Sequence, residues 1–128
     1  MRLLLDTHTL FWAIAEPERL SGAARAAIEA ETADVYVSVA SAWEMAIKVG
    51  LGKWPEAAGL LDNFAESLIA PGFRLLPIGL NHTRIAGLLK SIHRDPFDRL
   101  LVAQAMIEGL SLVSSDSKVI GMGAEIVW

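Results

Sequence analysis

The sequence predicts an α/β sandwich built on a mostly parallel sheet. Three observations predict it. Short apolar or β-branched runs recur along the chain and stop at polar residues: RLLLD (Arg2–Asp6), DVYVSVAS (Asp34–Ser41) and SLVSSD (Ser111–Asp116). Alanine- and leucine-rich stretches with helical spacing stand between them. The connections are short, with no repeat, linker or low-complexity segment, so residues 1–128 read as one domain.

Each element has a local reason. RLLLD is a buried strand of the parallel-sheet kind, and THTLFWAIAE after it is a short helix. LSGAARAAIEAE (Leu20–Glu31) is helical, with Ser21 as N-cap. DVYVSVAS is β-branched and forms the second strand, and SAWEMAIKVGLGK is a helix closed by Gly50 and Gly52. AAGLLDNFAESLIA, after Pro55, continues as one helix. PGFRLLPIG (Pro71–Gly79) holds a short strand between prolines, and NHTRIAGLLKSIH repeats apolar residues at helical spacing. DPFDRLLVAQAMIEG is a helix running to Gly109, SLVSSD is a strand, and EIVW closes the chain as an edge strand.

Composition narrows the function. The formal net charge is −4, which excludes a protein that grips nucleic acid by bulk charge. It leaves room for an enzyme that meets nucleic acid through a divalent cation. There is no cysteine, so disulfides, thiolate zinc sites and cysteine nucleophiles are excluded. No apolar run is long enough to span a membrane, and MRLLLD is too short and too soon acidic for a signal peptide. A soluble cytoplasmic protein is the expectation.

Four acids carry the chemistry, although each has an ordinary explanation. Ser41-Ala42-Trp43-Glu44 reads as a capping box with Glu44 reaching back to the Ser41 amide. Asp95 and Pro96 suit the N-cap and N1 positions of the helix after them. Asp98 then falls at N3, where a carboxylate meets the positive end of the helix dipole. Asp6 and Asp116 also suit caps. What capping does not explain is their common location. Asp6 and Asp116 end strands, Glu44 lies one turn beyond a strand, and Asp98 opens the most apolar helix. In an open α/β sheet these positions share the edge that holds the ligand crevice. Two unit charges about 4 Å apart repel by roughly 4 kcal/mol at an effective dielectric of 20. A divalent cation offsets that, and an all-oxygen carboxylate set suits Mg²⁺ or Mn²⁺. Helix N-termini beside the acids would add N–H donors for a phosphate.

Four motifs together, LLLDTHTLFW, SVASAWEMAIKVGLGKW, HRDPFDRLLVAQA and LVSSDSKV, resemble the PIN-domain nucleases, and most closely the VapC-type toxins of bacterial toxin–antitoxin modules. The resemblance runs almost end to end. It implies a three-layer α/β/α fold and an endoribonuclease that uses Mg²⁺ or Mn²⁺ to hydrolyse RNA phosphodiesters with a metal-activated water. By position it assigns Asp6, Glu44, Asp98 and Asp116 to catalysis, with Asp6, Asp98 and Asp116 on the metal and Glu44 bound directly or through water. Ser114 and Asp95 take supporting roles. The resemblance also implies a cognate antitoxin, commonly DNA-binding, and a homodimer. Because the chain is acidic, RNA contact falls to local cations: Lys48, Lys53, Arg94 and Arg99.

Other residues are weighed beside this. His8, His82 and His93 are not spaced as a metal site, although His8 follows Asp6 closely enough to touch the crevice. Lys48 is one turn after Glu44, the spacing of an ordinary helix-face ion pair. Arg94 and Arg99 flank Asp95 and Asp98 and either neutralise them or bind phosphate. Trp12, Trp43 and Phe97 fit core packing better than base stacking. A phospho-receiver domain lacks its adjacent acids here, since Thr7 and His8 follow Asp6. An aspartyl phosphatase would want a second Asp where His8 stands. The stronger alternative is a PIN-like domain without catalysis that binds RNA or a protein, and the retention of all four acids speaks against it.

Overall fold

A computed structural model describes every residue from Met1 to Trp128. Five strands form one sheet in the order β3-β2-β1-β4-β5, and every neighbouring pair is parallel. The strands are β1 (Arg2–Leu5), β2 (Asp34–Ser38), β3 (Arg74–Leu76), β4 (Ser111–Val113) and β5 (Ile126–Val127). The helices are α1 (Thr7–Ala15), α2 (Gly22–Glu29), α3 (Val39–Gly50), α4 (Ala58–Asp62), α5 (Phe64–Ser67), α6 (Leu80–Leu88) and α7 (Pro96–Glu108). No helix is long and apolar enough to cross a membrane.

The leucines of β1 build two cores because successive side chains point to opposite faces of a sheet. Leu4 joins Leu112 and the apolar residues of α7 on one face. Leu3 and Leu5 join Val35, Val37 and Val113 against α1 and α2 on the other. That is the expected α/β/α layering. Six consecutive residues of α7, Leu100 to Ala105, are buried, so the middle of this helix is enclosed on all sides. Gly109 ends it in the left-handed conformation, φ 67°, and donates to the Ala105 carbonyl.

Three boundaries differ from the expectation. The second strand stops at Ser38, not Ser41, and Ser38 caps α3 by accepting from the Ala40 amide at 3.0 Å. The sheet explains this. The β1 partner of Val37 is Leu5, and β1 turns into α1 directly afterwards, so residues beyond Ser38 have no strand to pair with there. The helix expected after Pro55 is broken at Asn63, φ −121°, into α4 and α5. The helix expected through His93 ends at Leu88, and residues 89–95 form a connection to α7.

That connection is held by Arg99. Its guanidinium donates to the carbonyls of Ala86, Gly87, Leu89, Ser91 and His93 at 2.7–3.4 Å. A planar fork of five N–H groups suits this work as an ammonium would not. The expectation that Arg99 meets RNA phosphate is therefore corrected: its donors are occupied by backbone.

Candidate active site

The chain leaves β1 toward β2 and β3 on one side, then returns to place β4 on the other side of β1. A crevice opens beyond the carboxyl ends of strands at such a reversal. Asp6 follows β1 and Asp116 follows β4, so the two flank this point. The Asp6 amide donates to the Val113 carbonyl at 3.1 Å and extends the β1–β4 pairing up to the site.

Capping and site roles coexist in these acids. Asp6 caps α1, its Oδ1 accepting from the Thr9 amide at 2.8 Å. Asp116 Oδ1 accepts from the Lys118 amide at 2.9 Å. Each carboxylate is thereby fixed through one oxygen, and no protein donor reaches the other. Asp95 is the N-cap of α7, accepting from the amides of Phe97 at 2.9 Å and Asp98 at 3.4 Å, with Pro96 at N1. Asp98 sits in the first turn of that helix, as the spacing predicts. Ser114 is buried beneath the crevice and accepts from the Asp116 amide at 3.1 Å, so it supports Asp116, while Ser115 is the serine that faces the cavity.

Glu44 is positioned differently from the expectation. It does not reach the Ser41 amide. Its Oε1 accepts from the Thr7 hydroxyl at 2.6 Å and its Oε2 pairs with Lys48 at 3.0 Å. Thr7 Oγ1 also lies 3.0 Å from Ser41 Oγ. One hydroxyl carries one proton, so the Ser41 hydroxyl donates back to Thr7 in this chain of contacts. Lys48 forms the ion pair its spacing indicates and rests over the Trp54 ring.

Asp6, Glu44, Asp95, Asp98 and Asp116 line one cavity of about 200 Å³, with Lys48 and His8 at its walls and no apolar lining residue. Asp98 is its most perturbed member. The carboxyl is raised from 3.8 to about 6, chiefly by burial and then by the charges of Asp95 and Asp116, against the opposing hydrogen bond and charge of His93. His93 Nε2 lies 2.7 Å from Asp98 Oδ2. Ligand atoms of His93, Asp98 and Asp116 all fall within 4.8 Å of one another. Asp6 and Glu44 share the cavity but stand outside this tight triple.

By sequence, His93 is set aside as not spaced for a metal site; its contact with Asp98 forms in a connection that Arg99 holds through carbonyls, which leaves no signature in local spacing. The other histidines are placed as follows. His82 Nδ1 accepts from the Gly79 amide at 2.9 Å and caps α6, whereas His8 is exposed and stacks on Trp54 with ring centroids 4.7 Å apart. The packing reading fails for Trp43, which is 57% exposed and meets Phe97 only edge-on.

The donors fit a hard divalent cation. Five carboxylates of one cavity face only one ammonium, which Glu44 already holds, and Asp6, Asp98 and Asp116 each keep an oxygen without a protein donor.

A doubly wound sheet with an acid crevice at its switch point is the architecture of the PIN domain, and residues 3–123 match the model of that family, to which the chain belongs. Within it the chain is of the VapC type. It is 33% identical to Ribonuclease VapC22 of Mycobacterium tuberculosis (strain ATCC 25618 / H37Rv) over 127 residues, spanning 91% of this chain and 88% of that protein. Among solved structures the fold is similar to a chain of VapBC2 from Rickettsia felis bound to a promoter DNA fragment, with a TM-score of 0.67 and 18% identity over 100% of both chains. It is also similar to a chain of FitAcB from Neisseria gonorrhoeae, with a TM-score of 0.63 and 22% identity over 97% of this chain and 95% of that one.

Proposed function

We propose that this protein is a metal-dependent endoribonuclease toxin, one PIN unit over residues 1–128 acting in the cytoplasm. The observation that carries the reading is the gathering of Asp6, Glu44, Asp98 and Asp116, residues spread over most of the chain, in one polar crevice. Asp6, Asp98 and Asp116 would hold Mg²⁺ or Mn²⁺, each having an oxygen without a protein donor. When bound, the cation supplies charge neutralisation at a phosphodiester and activation of a water. Glu44, with both oxygens engaged, acts outside the ligand set by holding Thr7 and Lys48 in place. Asp95 and Ser114 fix Asp98 and Asp116 through their amides. The N-termini of α1 and α7 border the crevice and favour an anion there.

The similarity to Ribonuclease VapC22 supports RNA as substrate, and the VapBC2 and FitAcB structures support a cognate antitoxin as partner. Val39, Trp43, Ile47 and Leu51 form an exposed apolar row along α3, which supports a protein partner on that side, and the VapC type supports a homodimer.

The test is cleavage of a mixed transfer-RNA and messenger-RNA pool with Mn²⁺. Wild type, Asp98→Asn and a chelator control run side by side. The expected result is metal-dependent cleavage by wild type alone. Equal cleavage by both proteins, or none by either, sinks the reading, and the second outcome favours the non-catalytic binding module.

A further inference from the structure

An acidic chain that binds RNA needs its free cations in one place, and the pairing pattern shows where they are. Of the 11 lysines and arginines, Arg2, Arg19, Arg25, Lys48 and Arg74 are paired with carboxylates. Arg99 is consumed by backbone carbonyls, and Arg84 reaches Asn81. Lys53, Lys90, Arg94 and Lys118 remain without any protein partner. Three of these four, Lys90, Arg94 and Lys118, line a single cleft of about 550 Å³ that contains no acid.

This cleft adjoins the acid crevice. His93 lines it and bonds Asp98 in the next cavity. Lys118 follows Asp116 by two residues and gives Asp116 its capping amide. Arg94 precedes Asp95. The two cavities are thus lined by neighbouring residues, acids in one and unpaired cations in the other. The Arg99 clamp on residues 86–93 holds the segment bearing Lys90 and Arg94 against α7. Exposed Ile92 and Ile120 lie in the same lining and offer apolar surface beside the charges.

We propose that Lys90, Arg94 and Lys118 form the phosphate track of a single-stranded RNA, carrying the backbone next to the phosphodiester held at the crevice. The assignment rests on the ribonuclease reading and extends it to how the substrate is gripped. It eases the conflict between net negative charge and a polyanionic substrate by segregation: five acids gather in the crevice, and three of the four unpaired bases gather on one path beside it.

The test is fluorescence anisotropy of a labelled single-stranded RNA dodecamer of mixed sequence, titrated in chelator between 25 and 200 mM KCl. Wild type is compared with K90Q/R94Q/K118Q and with R25Q/R74Q/R84Q, which removes the same charge elsewhere. Each neutralised phosphate adds about 0.7 to the slope of log affinity against log salt for single strands. The cleft variant is expected to have a slope shallower by about 2, and the control variant the wild-type slope. Equal slopes in wild type and cleft variant overturn the proposal, as they would if the cleft seats an acidic protein segment. An equal loss in both variants overturns it as unspecific charge, and absence of wild-type binding at 25 mM KCl also overturns it. The Mn²⁺ cleavage assay on the same wild-type protein separates the two ideas. Cleavage with equal slopes removes the track and keeps the nuclease, whereas the slope difference without cleavage does the reverse.

Discussion

Replacing Asp98 with asparagine should stabilise the metal-free protein. In the folded chain the Asp98 carboxyl is raised from 3.8 to about 6, chiefly by burial. Between those values the folded state binds more protons than the unfolded state, so this group makes stability fall as pH rises through the window. Above it, the ionised carboxylate costs about 3 kcal/mol. The side chain is 18% exposed, so solvent relieves part of that cost. Asparagine also forgoes a charge at the helix N-terminus worth about 0.3–1 kcal/mol. Its amide oxygen can still accept from His93. The net gain at pH 7 is about 2 kcal/mol, or about 6–8 °C in Tm for a domain of this size. Thermal unfolding in chelator, followed by circular dichroism, should show the gap at pH 7 and its closure below pH 4, where wild type is protonated as well. Mn²⁺ at 100 times its Kd should then add about 2.7 kcal/mol to wild type and little to the variant. A variant no more stable than wild type at pH 7, or a gap that persists at pH 4, would refute the reasoning.

Four further outcomes follow from the geometry. His93→Ala should weaken Mn²⁺ binding about tenfold by calorimetry, with partial recovery in His93→Gln, because a hydrogen-bonded ligand is held in orientation. Thr7→Val keeps the shape but strips buried Glu44 of its 2.6 Å donor, and urea denaturation should show a loss of about 1–3 kcal/mol. Arg99→Lys keeps the charge and loses the fork, so residues 89–95 should become the first site of limited proteolysis, with about 2 kcal/mol lost in urea. Gly109→Ala should cost about 1 kcal/mol in thermal unfolding through its positive φ alone, since the added Cβ meets nothing closer than Arg2 Nη1 at 3.7 Å.

Much of the fold was legible because the central strands β1, β2 and β4 are short apolar runs, and burial on both faces leaves little else for such runs to do. The four acids were legible because topology alone sends strand ends to one edge. What the sequence hid depends on partners far along the chain. Ser38 and Ser41 are equally good caps in isolation, and the length of β1 decides between them. Lys48 and Lys118 look alike as letters, yet Glu44 occupies one and nothing occupies the other. His93 has no spacing signature, since its approach to Asp98 follows from carbonyls that Arg99 collects.

The pairing of β1 with β4 joins Leu3 to Ser111, two residues more than a hundred positions apart along the chain. During translation everything through β4 and Asp116 must therefore emerge before Asp6 and Asp116 can stand together. A nascent fragment, or a product cut short before β4, carries at most three of the four acids and no strand to close the crevice.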